Sequence, residues 1–146
     1  MRKLFSLRVL VATCVFAGVA ALALQAADKP AAPSHGTRYF EMRTYHAPAG
    51  KLDALNARFR DHTVKLFKKH GMESIGYWTP ASGDAARDTL VYLLAYPSKE
   101  ACDASWKAFR ADPDWIKAKD ESEKNGKLVE KVEQLFLNPT DYSAIQ

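Results

Sequence analysis

Tyr39-Phe40-Glu41-Met42-Arg43-Thr44-Tyr45-His46 decides the fold of this chain. Side chains alternate along a strand, so Glu41 and Arg43 share one face while Phe40 and Met42 share the other. Pro48, Gly50 and Lys51 turn the chain directly afterwards. A helix is expected from about Lys51 to His70. Leu52, Leu55, Phe59, Thr63, Leu66 and Phe67 recur at helical spacing, and Gly71 stops it. Arg58, Arg60, Lys65 and Lys68 fall mostly on the opposite side, a solvated face.

Met72 to Thr79 reads as a second strand with Ile75, Tyr77 and Trp78. Pro80 to Asp88 is a hairpin loop by composition. Thr89 to Tyr96, TLVYLLAY, is apolar almost throughout and predicts a strand buried on both faces. Ser98 is placed to cap a second helix, whose apolar side holds Ala101, Cys102, Ser105, Trp106, Ala108 and Phe109. Asp112-Pro113 begins a further helical piece carrying Trp115 and Ile116. Leu128 to Leu137 alternates as a last strand and stops at Asn138-Pro139.

The order β-α-β-β-α-β is the ferredoxin-like α+β unit, a four-stranded antiparallel sheet with helices on one face. Tyr39, Glu41, Arg43 and Tyr45 share a face that is expected to be the bare one. It is too aromatic for water, and the third strand is apolar on both sides. A second copy is the simplest cover, giving a two-fold homodimer.

Residues 1–27 read as a secretory signal peptide. Arg2, Lys3 and Arg8 lead, Val9 to Leu24 is uncharged and apolar, and Ala26 and Ala27 follow. The competing membrane anchor needs about 20 apolar residues, more than this run supplies. Residues 28–37 are a polar, Pro/Ala-rich leader, expected to be disordered, and 38–146 form one domain. An exported product, periplasmic or secreted, is expected, with no membrane contact after cleavage.

Export reshapes the charge. Of the 21 Lys and Arg, three lie in the signal, leaving 18 against 17 Asp and Glu. No clustered basic face remains to bind nucleic acid. One cysteine remains, Cys102, so an internal disulfide is excluded.

The stretches YFEMRTY, PAGKLDALNARF, KKHGMESIGYW, YLLAYPS, SWKAFRADPDW and LFLNPTDYS, in this order from about Arg38 to Ser143, resemble the NIPSNAP family within the dimeric α+β barrel group. The resemblance implies two ferredoxin-like sheets packed face to face in a dimer. It implies little chemistry, because the family's molecular function is poorly defined. Related barrels include small cofactor-free monooxygenases and haem-handling proteins, an analogy of fold alone. Eukaryotic members are mostly mitochondrial or vesicle-associated, and the signal peptide sets this chain apart from those roles.

His62 lies between Phe59 and Leu66 at helical spacing and is expected to face the sheet. Its imidazole can serve as acid, base or ligand, or simply bond a backbone carbonyl in the core. Glu41 and Arg43 can bind a polar ligand or pair across the dimer. Tyr45, Tyr92 and Tyr96 can present hydroxyls to a cavity or pack with a polar tip. Trp78, at a strand end beside a loop, is the candidate pocket wall, while Trp106 and Trp115 read as core. Cys102 reads as a buried structural thiol with no activating base.

The chain has no Gly-rich phosphate loop, CxxC, HExxH or GxSxG. His46, His62 and His70 lack a spacing that makes a metal site. His62 and His70 lie eight apart on one helix, about 12 Å. No metal or cofactor is expected, with haem on a single histidine the alternative. Two functions follow. One is binding, or cofactor-free turnover, of a small apolar or aromatic molecule in a cleft between sheet and helices, with His62 as acid/base. The other is a non-catalytic interaction or scaffold domain acting through its dimer surface.

Overall fold

The computed structural model describes residues 38–146, so the expected signal peptide and leader lie outside the described residues. Strands β1 (Tyr39–His46), β2 (Glu73–Trp78), β3 (Thr89–Tyr96) and β4 (Lys131–Leu137) form one antiparallel sheet. Their order is β2-β3-β1-β4. Helix α1 (Leu52–Arg58) runs through a π-helical turn, Phe59–Thr63, into α2 (Val64–Lys69). Helices α3 (Lys99–Ala111) and α4 (Pro113–Ser122) make the second crossover. This is the expected ferredoxin-like α+β architecture, with the second crossover broken at Asp112-Pro113.

The boundaries follow local chemistry. At the end of α2, Gly71 takes φ 74°, a left-handed conformation that glycine adopts freely. The Met72 amide then reaches Phe67 O at 3.0 Å and the Gly71 amide reaches Lys68 O at 3.2 Å, which satisfies the last helical carbonyls. Ser98 accepts from the Ala101 amide at 3.2 Å as the cap of α3. Asp112 accepts from the Asp114 amide at 2.8 Å as the cap of α4, with Pro113 in the first turn.

The core lies between sheet and helices. Leu90, Tyr92, Leu94 and Tyr96 of β3 meet Leu55, Phe59, Leu66, Phe67, Trp106 and Phe109, all buried. Each such side chain stabilises the fold by roughly 1.5–3 kcal/mol. Aromatic edges organise the packing, with Phe67 against Trp106 at 5.5 Å and Phe109 at 5.0 Å.

The expectation about the bare face is overturned. Glu41 pairs across the sheet with Leu94 and Arg43 with Tyr92, so the Tyr39, Glu41, Arg43 and Tyr45 face is the one the helices cover. The bare face carries Phe40, Met42 and Thr44 of β1 beside Ala95, Leu93 and Val91 of β3, and Leu137 and Leu135 of β4. The C-terminal residues Asn138 to Ile145 border Phe40 at one end of it. Trp78 and Leu135 remain about half exposed. Alternation separates the two sets, and the helices cover the opposite set from the one expected. An aromatic, charged strand face is comfortable under helices when those helices supply its hydrogen-bond partners.

Candidate functional site

Glu41 has no exposed surface and is surrounded by donors. Arg43 Nη1 at 2.7 Å and Gln134 Nε2 at 2.5 Å donate to Oε1. Tyr96 OH at 2.7 Å, Trp106 Nε1 at 2.6 Å and the Cys102 thiol at 3.8 Å donate to Oε2. An ionised carboxylate has room for about four hydrogen bonds, and this one is fully used. The Arg43 guanidinium lies 4.4 Å from the centre of the Trp106 ring. Glu41 and Arg43 therefore pair within one chain, not across a dimer. Burial, reinforced by the Glu41 carboxylate, pushes the Tyr96 hydroxyl well up, so it stays a donor. Burial, then the Glu41 charge, pushes the Cys102 thiol up to about 11. The cluster ties β1, β3, β4 and α3 together and fills the Glu41 carboxylate, while Arg43 Nε remains buried without a partner.

A cleft of about 290 Å³ opens beside it, between the sheet and the helices. Phe59, Phe67, Phe109 and Trp115 line its helix side, and Tyr45, Val129 and Val132 its sheet side. Arg58, Lys119, Glu123 and Lys127 form its polar rim. The Arg58 guanidinium sits 5.3 Å from the Trp115 ring centre, and Trp115 packs at a tilt against Phe109, ring centres 4.5 Å apart. Arg58 Nη1 donates to Glu123 Oε1 at 2.9 Å, and Lys119 Nζ meets Glu123 Oε2 at 2.9 Å. Burial opposes the Glu123 charge, but the Lys119 and Arg58 bonds outweigh it and hold the carboxyl below its usual range. Arg58 is 4% exposed, and its Nε has no partner.

Arg58 was expected on the solvated side and is instead buried. His62 was expected to face the sheet and instead lies against α4, among Ala57, Asp61, Ala118 and Ser122. Glu123 and Trp115 cover Arg58, and the placement of His62 has a local cause. In the π-helical turn the Val64 amide bonds Phe59 O, five residues back, where an α-helix would bond four back. The extra residue advances the helix face, which keeps Thr63 inward as its spacing predicts and turns His62 away. Thr63 Oγ1 donates to Arg58 O at 3.3 Å within that turn.

Of the residues expected from sequence to be catalytic or ligand-binding, only Tyr45 lines the cleft. Tyr92 and Tyr96 are fully buried beneath the helices. Trp78 lies over Gly76 on the bare face, its ring where a side chain at Gly76 would sit. Trp115, read as core, is a cleft wall. The sequence reading missed Arg58, Lys119, Glu123 and Lys127. A signal was present, because Trp115 and Lys119 on α4 and Glu123 at its C-terminal cap recur every four residues along one side. Among the described residues no group of three or more His, Cys, Asp or Glu could hold a metal ion.

The NIPSNAP family model matches residues 40–144. A NIPSNAP family protein of unknown function from Agrobacterium tumefaciens superposes with TM-score 0.66 at 23% identity, covering 77% of this chain and 96% of that one. An uncharacterised NIPSNAP domain protein from Burkholderia xenovorans gives 0.61 at 26% identity, covering 72% and 97%. A Streptomyces coelicolor monooxygenase in complex with nanaomycin D gives 0.51 at 12% identity, covering 75% and 94%, a likeness of fold alone. None of the curated proteins matches the chain.

Proposed function

The chain belongs to the NIPSNAP family, and from that premise we propose that it is an exported, homodimeric protein that binds a small apolar or aromatic molecule in the cleft between sheet and helices. The observation that carries this reading is the aromatic cleft of about 290 Å³ with the unpartnered Arg58 Nε beside it. Ligand pockets begin at about 300 Å³, are mostly apolar and hold a few placed polar groups. Binding is the step this geometry supports. No histidine lines the cleft, and its one carboxylate is held by two cations. A turnover role for His62 would have to act from the groove against α4.

The homodimer rests on the bare sheet face. Met42, Leu93, Leu135 and Trp78 form an apolar layer that a single copy leaves in water. The same face supports the second reading, a non-catalytic interaction domain. Native mass spectrometry of the purified protein separates them. A two-subunit mass with a reproducible extra mass, released on denaturation, is expected. A dimer with no retained mass, and no affinity for aromatic probes, favours the interaction domain. A monomer with no retained mass overturns the proposal.

A further inference from the structure

The cleft is charged unequally. Three cations, Arg58, Lys119 and Lys127, stand at its rim against one anion, Glu123. Glu123 is already consumed by Arg58 and Lys119, and Leu128 N approaches the same Oε1 at 3.5 Å. Lys127 makes no ion pair among the described residues. The Arg58 Nε–H has no acceptor although its side chain is buried, and a buried donor without a partner is costly to the folded state. We infer that the cleft takes an anionic aromatic compound, with rings between Trp115 and Phe59 and a carboxylate or similar anion at Arg58 and Lys127. This rests on the cleft being a binding site and specifies its ligand class.

The physical reason is complementarity at both ends. The ring stack supplies apolar area and π faces. The rim supplies one guanidinium donor with nothing to bond and one exposed ammonium without an ion pair. A neutral aromatic compound would fill the stack and leave Arg58 Nε unpaired. An acidic one would pair it and offset the surplus positive charge, and hydrogen bonds to charged groups are the stronger kind.

Anilinonaphthalenesulfonate and its uncharged parent, N-phenylnaphthylamine, test this, because they share one ring system and differ by the anion. Both fluoresce when transferred from water to an apolar site. The sulfonate is expected to bind about tenfold more tightly than the parent. Lys127→Glu, which reverses the charge at the rim, is expected to abolish that preference. If both probes bind the native protein equally, or the preference survives Lys127→Glu, the anion inference is overturned and the cleft still binds aromatic compounds. If neither probe binds, the binding-site reading falls and takes the inference with it.

Discussion

Arg58 of α1 and Glu123, just beyond α4, are joined at 2.9 Å and clamp the first crossover to the second. The Arg58 side chain is 3% exposed and that of Glu123 17%, so the pair is largely out of water. Removing one partner strands the other. Arg58→Ala should lower stability by about 2–4 kcal/mol in urea unfolding, somewhat less than a fully buried pair because Lys119 stays with Glu123. The double variant Arg58→Met with Glu123→Gln should recover part of that loss. Equal losses from the single and double variants would rule out coupling.

Glu41→Gln keeps the shape of the buried hub and removes its charge. Arg43 then lies largely buried with no counter-ion, and Tyr96 and Trp106 lose a charged acceptor. A loss of about 3 kcal/mol is expected, read as a fall in the urea midpoint at constant slope. A variant as stable as the parent would show that the carboxylate charge is not needed.

Cys102 is 1% exposed, and its thiol is raised to about 11, first by burial and then by Glu41. At pH 8 almost no thiolate forms, and the thiolate is the reactive species. Iodoacetamide should therefore modify the native protein far more slowly than the urea-unfolded chain, followed by intact mass. Comparable rates in the two states would contradict the buried environment.

Asp112 receives Lys69 Nζ at 2.8 Å and His70 Nε2 at 2.6 Å, and caps α4. The Lys69 bond, then the His70 bond, hold its carboxyl well below the usual range. A depressed native value binds fewer protons than the unfolded chain does. Its stabilisation is therefore complete above the ordinary carboxylate range, and drains away as pH falls below about 4. Asp112→Asn should flatten the acid limb of a stability–pH curve, measured by urea unfolding between about pH 2 and pH 6. An unchanged acid limb would mean that another carboxylate dominates it.

Most of the fold was legible because its signals are local. Alternation in Tyr39–His46 and the near-continuous apolar run of Thr89–Tyr96 mark strands through side-chain geometry. Gly71, Ser98 and Asp112-Pro113 mark helix ends because each solves a backbone problem at its own position. The site was less legible. Helical spacing of 3.6 residues per turn predicted an inward His62, but the π-helical turn breaks that period and no residue pattern announced it. Arg58 shows the converse. A guanidinium beside Phe59 reads as solvated until Glu123 and Trp115, more than fifty positions away, arrive to cover it.

Element order, strand alternation and the buried character of β3 were written in the chain, because each depends on neighbours within a few residues. Which face of β1 the helices cover, and whether Glu41 meets water or five donors, was settled by tertiary structure. The reason is that burial of a charge depends on what lies opposite it. Trp106 and Gln134 reach Glu41 from α3 and β4, and only the closed sheet brings them there.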